Sequence, residues 1–102
     1  LQGFRSHPLF AESLAVFAPN ANSYRRLRPG CFAPVAADWG ANNRHVAIRL
    51  PPADVANQRL EHRVAGADCN PYLAVAALLA GVHAGLTAAT EPPPAVPEGQ
   101  SP

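Results

Sequence analysis

The stretch RHVAIRLPPADVANQRLEHRVAG, residues 44–66, contains the two alternating segments that decide the fold. In the first segment, 44–51, every second residue is apolar, and three of them share one face: Val46, Ile48 and Leu50. In the second segment, 58–66, the same period places three residues on one face: Leu60, His62 and Val64. Because the link between the segments is short, we predict that they form neighbouring antiparallel strands.

Two helices are predicted to flank this strand pair. The first begins near Pro8, with Ser6 or His7 at its cap, has apolar residues at helical spacing and ends before Pro19. The second is capped by Asn70, continues to Leu86 and is apolar nearly all round, which is typical of a buried helix. The predicted fold class is therefore α+β, an antiparallel strand pair with two flanking helices.

The remaining segments show no helical or strand period. Residues 20–43 are rich in Pro, Gly and Asn, and Pro29-Gly30 is a strong turn signal, so we predict a long loop or an extended excursion. Residues 87–102 contain several prolines, and we predict an extended or disordered tail.

Composition limits the possible partners. The chain has 102 residues and a formal net charge of +1, so we expect neither a nucleic acid nor a membrane as partner. The longest apolar run, 73–86, is interrupted by Gly and His and is too weak for a membrane span. Two distant cysteines show no zinc spacing, and we expect a reduced, cytoplasmic chain.

One charged face stands out in the second strand. At period two, Arg59, Glu61 and Arg63 stand side by side, so a carboxylate flanked by two guanidinium groups stays ionised. An ionised Glu can hold a divalent cation, and neighbouring arginines can hold the anions that the cation also binds. Arg49 on the first strand could extend this face. On this pattern alone, a solvated and ion-paired sheet face is the commoner outcome.

Three motifs, in order and between Ala18 and Leu86, resemble the glutamine synthetase family: APNANSYRRLRPG, WGANNRHVAIRLP and RLEHRVAGADCNPYLAVAALLAG. Family members are several times longer, so the chain resembles an excerpt of the C-terminal catalytic domain, with residues 1–86 in that domain and 87–102 as a tail. The resemblance implies ATP-dependent ligation of glutamate to an amine through γ-glutamyl phosphate. It also implies Mg²⁺ or Mn²⁺ as cofactor and a ring-shaped homo-oligomer.

The resemblance implies roles for three arginines before the second strand. Arg26, in NSYRRL, would be catalytic and would hold the carboxylate of the glutamate substrate. Arg44, in NNR, would also be catalytic and would face the transferring phosphoryl group of ATP. Arg49, in AIRLP, would contact a nucleotide phosphate.

The second strand carries three further roles by resemblance. Arg59 would lie at the nucleotide, Glu61 would ligate the metal ion, and Arg63 would grip glutamate or the acyl phosphate. Since Glu61 is the only residue of the family's metal ligands in this chain, we predict that the chain alone does not turn over.

One position departs from the ammonia-using members. They resemble PGYEAP, in which the Glu helps to bind and deprotonate ammonium, whereas this chain has PGCFAP with Phe32 in the acidic position. The Trp of WGANN and the His of LEHR are similar to the γ-glutamylpolyamine synthetase type, and Phe32 could pack against the alkyl part of such an amine. Glutamine synthetase proper and a non-catalytic binding relative remain the alternatives.

Overall fold

The computed structural model describes the backbone of residues 8–101 and the side chains of residues 13–101. Its elements follow in chain order, with two short 3-10 helices at Ala21–Arg25 and Val55–Asn57: α1 (Pro8–Phe17), β1 (Trp39–Ala41), β2 (Ile48–Leu50), β3 (Glu61–His62) and α2 (Pro71–Thr87). The predicted α+β class is confirmed.

The first helix ends where the sequence predicts. Its last turn closes on Ala18, whose backbone N–H donates to the Leu14 carbonyl at 2.8 Å, directly before Pro19. The buried side chains of Leu14 and Phe17 pack in one apolar cluster with Ala47 and Val64 from the strand region. This cluster is the core on which the sheet rests. The predicted cap at Ser6 or His7 lies outside the described residues.

The predicted antiparallel pair is present, but it belongs to a three-stranded mixed sheet. Strands β2 and β3 are antiparallel, with Arg49 opposite Glu61. The stretch 20–43, predicted to be a long loop or an extended excursion, contains β1, which pairs with β2 in parallel. A three-residue strand has no readable period of its own, so only its partners across the sheet define it.

The apolar residues predicted to share one face are fully buried at only one end of each segment. Val46 and Val64 are fully buried, whereas Leu50 and Leu60 are exposed at 37% and 48%. Ala47 is also fully buried, although it follows Val46 directly. The Ala47 N–H donates to Asp38 Oδ1, and the Ala47 carbonyl accepts from Arg63 N. The backbone is therefore hydrogen-bonded on both sides at this residue.

The segment after α2 runs in an extended conformation along β1. The Trp39 indole Nε1 donates to the Pro93 carbonyl at 2.6 Å, and Val96 N donates to the Trp39 carbonyl at 2.9 Å. A Cβ atom added at Gly40 would lie 2.4 Å from the Val96 carbonyl oxygen. Glycine is therefore required at this position of β1 for the tail to approach so closely.

Helix α2 begins as predicted but is not buried in this chain. Asn70 Oδ1 accepts hydrogen bonds from the backbone of Tyr72 and Leu73 at 3.0 and 3.3 Å, which satisfies two free N–H groups of the first turn. Only one side of the helix packs on the core, through Ala74 and Ala77. The other side exposes large apolar residues: Tyr72, Leu73, Val75, Leu79, Val82 and Leu86. Within residues 8–101, no helix is long and apolar enough to cross a membrane.

We predict that this apolar face makes the chain self-associate, because a continuous apolar patch on α2 is left in water. Sedimentation velocity should show concentration-dependent association, and Leu79→Glu should weaken it by placing a charge in the patch. Val55→Glu is the matched control, since Val55 is also apolar and exposed but lies on a 3-10 helix away from α2. A sharp monomer at all concentrations would contradict the prediction.

Candidate functional site

The centre of the site is a carboxylate held between two arginines. The register of β2 and β3 places Arg49 opposite Glu61, and Arg49 Nη1 lies 3.1 Å from Glu61 Oε2. Arg63 Nη1 lies 3.3 Å from the same oxygen. The two arginine side chains are only 15% and 17% exposed, whereas that of Glu61 is 42% exposed. The Glu61 side chain is therefore partly exposed to solvent, while the two arginine side chains that hold its carboxylate are mostly buried.

These contacts keep Glu61 ionised. The hydrogen bond from Arg49 lowers the pKa of Glu61 most, and Arg63 adds to this effect, although partial burial acts in the opposite direction. Both contacts are made by Oε2, and the Glu61 side chain forms no other hydrogen bond or ion pair among the described residues. Its second oxygen, Oε1, is available to a cation.

The described residues supply only part of the ligand set that a divalent cation needs. Mg²⁺ takes about six oxygen ligands, and Glu61 provides one carboxylate of the hard, anionic type that the ion prefers. Among residues 13–101, no group of three or more His, Cys, Asp or Glu side chains is close enough to hold a metal ion. Further ligands would have to come from outside the described residues, from water or from a phosphate.

Arg63 also fixes two loops at the site. Its Nη2 donates to the Phe32 carbonyl at 2.7 Å and to the Arg44 carbonyl at 3.1 Å. Phe32 has a positive φ of 48°, which is uncommon for a bulky residue, and the residue is 63% exposed. The ring stacks on His45 with centroids 5.1 Å apart. The loop residue singled out by its sequence is thus anchored beside Glu61.

Arg26 supports the end of β3 from the other side. Its Nη1 and Nη2 donate to the carbonyls of Arg63 and Val64 at 3.1 and 2.6 Å. The loop around Arg26 is tied to the same region, because Asp68 accepts hydrogen bonds from Ser23 and Asn20. Arg26 therefore lies next to Arg63, with its remaining N–H groups directed to no described acceptor.

Two other predicted residues stand apart from the carboxylate. Arg59 precedes β3 and donates to the Asn57 carbonyl at 3.2 Å, so the expected row of Arg59, Glu61 and Arg63 is not continuous. It lines an open groove of about 740 Å³ together with Asn42, Leu60 and Glu98. The Arg44 side chain is exposed and forms no hydrogen bond or ion pair among the described residues, and only its carbonyl contacts Arg63.

Sequence reasoning missed Asn42. Its Oδ1 accepts from Arg49 Nη2 at 2.8 Å, so Arg49 is held by Asn42 and Glu61 together. Asn42 has a positive φ of 49°, a conformation that Asn tolerates better than most residues. The only sequence signal for a structural role of Asn42 was the Asn-Asn pair after WGA, because Asn is frequent where a strand ends in a turn.

The sequence comparison identifies the class of protein. Residues 6–100 match the family described as glutamine synthetase, catalytic domain, and the chain therefore belongs to the glutamine synthetase family. The resemblance seen in the three motifs is thus confirmed.

The similar proteins include amine-using relatives. A γ-glutamylputrescine synthetase of Escherichia coli (strain K12) is 56% identical over 78 residues, covering 76% of this chain and 16% of the relative. A γ-glutamylethanolamide synthetase of Streptomyces coelicolor is 49% identical, covering 67% of this chain and 15% of the relative. A glutamine synthetase of Thermotoga maritima is 46% identical, covering 82% and 19%. The chain thus spans less than a fifth of the length of these three relatives.

Proposed function

We propose that this chain is part of the catalytic domain of an ATP-dependent ligase that joins glutamate to an amine through γ-glutamyl phosphate. The observation that carries the proposal is the ionised Glu61 carboxylate between Arg49 and Arg63. Phosphoryl transfer needs charge neutralisation and positioning around the phosphate more than covalent chemistry from the protein. A carboxylate with a free oxygen beside two cationic side chains offers both.

In this proposal Glu61 would hold Mg²⁺ or Mn²⁺, and the ion would supply positive charge to the phosphates of ATP. Arg49 would contact a nucleotide phosphate. Arg59 binds the nucleotide along the groove that it lines. The free guanidinium of Arg44 faces the transferring phosphoryl group, which its exposure allows.

Glutamate binds near Arg26 and Arg63 in this proposal. Both guanidinium groups hold backbone carbonyls and are therefore fixed in position. Arg26 keeps N–H groups to spare, whereas Arg63 also donates to Glu61 and its Nε is buried, which leaves it one N–H of Nη1. A fixed guanidinium suits a planar carboxylate because two parallel hydrogen bonds can form. Arg26 would take the substrate carboxylate, and Arg63 would take glutamate or its acyl phosphate.

For the acceptor we propose an amine larger than ammonium. The exposed ring of Phe32 offers an apolar face but no proton acceptor. The similarity to synthetases named for putrescine and ethanolamide supports this choice. The second candidate is glutamine synthetase proper, favoured by the Thermotoga maritima relative. We further propose a cytoplasmic, ring-shaped homo-oligomer, and a 102-residue chain that is inactive alone because Glu61 cannot complete a metal site.

The test is glutamate-dependent phosphate release from ATP by the full-length protein, with ammonium and with a panel of mono- and diamines. Release with an amine but not with ammonium supports the proposal. Release with ammonium alone assigns the protein to glutamine synthetase proper. No release with any acceptor contradicts both and favours a binding relative.

Phe32→Glu tests the acceptor directly. The new carboxylate would bind and deprotonate ammonium, so we expect the ratio of kcat/KM for ammonium to that for the preferred amine to rise at least about tenfold, equivalent to about 1.4 kcal/mol. Cys31→Glu is the matched control, because it places the same charge on the neighbouring exposed residue. An unchanged ratio in Phe32→Glu would remove Phe32 from the acceptor site.

A further inference from the structure

Arg49 is connected to the tail through a single amide side chain. Asn42 Oδ1 accepts from Arg49 Nη2 at 2.8 Å, and Asn42 Nδ2 donates to Glu98 Oε1 at 2.7 Å. The two partners fix the orientation of the amide, because a guanidinium only donates and a carboxylate only accepts. The backbone N–H of Asn42 donates to the Leu50 carbonyl at 2.8 Å, so the residue is also held at the end of β2.

The tail that carries Glu98 is fixed independently of this contact. The fully buried Asn43 donates through Nδ2 to the carbonyls of Pro97 and Gln100 at 2.7 and 2.9 Å, on either side of Glu98. The contacts of Trp39 with Pro93 and Val96 hold the preceding part of the tail on β1. Glu98 therefore has a defined position, with its carboxylate at the edge of the groove that Arg59 also lines.

We infer that Asn42 and Glu98 are positioning residues that hold the Arg49 guanidinium for a nucleotide phosphate, so that the tail takes part in the site. This inference rests on the proposed function. Arg49 donates to Glu61 through Nη1 and to Asn42 through Nη2. Without the second contact the guanidinium could rotate about its terminal bonds, and its remaining N–H groups would lose their fixed direction. Preorganised donors bind an anion more tightly because less freedom is lost on binding.

The inference predicts a specific pattern of MgATP affinities, measured by calorimetry on the full-length protein well below its melting temperature. Asn42→Ala and Glu98→Ala should each weaken MgATP binding by about three- to tenfold, as expected for one lost hydrogen bond. Because Glu98 acts through Asn42, the double variant should bind no more weakly than Asn42→Ala alone. Glu98→Gln should retain nearly full affinity, since its amide oxygen still accepts from Asn42 Nδ2.

Glu91→Ala is the matched control. Glu91 is an exposed carboxylate of the same tail without a hydrogen bond or ion pair among the described residues, so its removal should leave MgATP affinity unchanged. The inference is overturned if Glu98→Ala binds as wild type, if the two single effects multiply in the double variant, or if only the melting temperature falls. A wild-type protein that binds no MgATP overturns the proposed function and the role of Arg49 with it. Wild-type binding with unaffected variants overturns this inference alone.

Discussion

Glu61→Gln is expected to lower the rate of glutamate- and amine-dependent phosphate release from ATP by at least about 100-fold in the full-length protein. An amide is a far weaker ligand than a carboxylate for a hard divalent cation, and even changes to residues that only orient metal ligands cost about 10- to 100-fold. The substitution keeps the size of the side chain, so the loss reports on charge. The apparent affinity for Mn²⁺ should fall in the same variant.

The same substitution should destabilise the fold in a pH-dependent way. Without the carboxylate, Arg49 and Arg63 repel each other across the sheet, which we expect to cost about 1 kcal/mol for a pair of this exposure. The pKa of Glu61 lies below its ordinary value of 4.5 in the folded state, so its contribution is present above that value and is lost as pH falls through the lowered pKa. The difference in melting temperature between wild type and Glu61→Gln should therefore shrink in acid.

Glu91→Gln serves as the control, since it removes the charge of an exposed tail carboxylate. It should change neither phosphate release nor the pH dependence of melting. If Glu61→Gln retained the wild-type rate and Mn²⁺ affinity, Glu61 would not be a metal ligand. A difference in melting temperature that persisted unchanged in acid would contradict its ionisation between the arginines.

The second large effect is expected from Arg63→Met. This substitution keeps the length of the stem but removes the donors to Glu61 and to the carbonyls of Phe32 and Arg44. Leaving these groups unpaired should lower the free energy of unfolding by about 2–4 kcal/mol. Phosphate release should fall by about 100-fold or more, since the cation that we propose for glutamate or its acyl phosphate and the anchor of the Phe32 loop are lost together.

Melting curves and initial rates of the full-length protein measure both effects. Arg63→Lys should recover only part of the loss, because a single ammonium cannot reproduce the planar fork that bonds both loops and the carboxylate. Arg25→Met is the matched control, since Arg25 is exposed and its side chain forms no hydrogen bond or ion pair among the described residues. Equal melting temperatures and rates for wild type and Arg63→Met would contradict the roles of Arg63 in stability and in phosphate release.

The candidate site was partly predictable. Strand period and the short link placed Arg49 and Glu61 on adjacent antiparallel strands, and their pairing is confirmed at 3.1 Å. The expected row failed at Arg59, which precedes β3 and donates to the Asn57 carbonyl instead of Glu61. The roles of these residues in binding ATP, metal and glutamate stay predictions, since they come from the family resemblance.

The sequence by itself determined the features with a local cause. Helix α1 follows from apolar spacing between two prolines, and α2 begins at Asn70 because the cap is a contact over two or three residues. The three motifs likewise sufficed to predict the family, which the match over residues 6–100 confirmed.

Only the tertiary structure decided which distant segments meet. Strand β1 exists through its partners in β2 and the tail, and Asn42 bonds Glu98 across 56 positions of sequence. The tertiary structure also decided that α2 packs on the core through Ala74 and Ala77, because an apolar helix carries no record of which of its sides has a neighbour. Such contacts depend on long-range hydrogen bonds and packing, and these leave no period in the sequence.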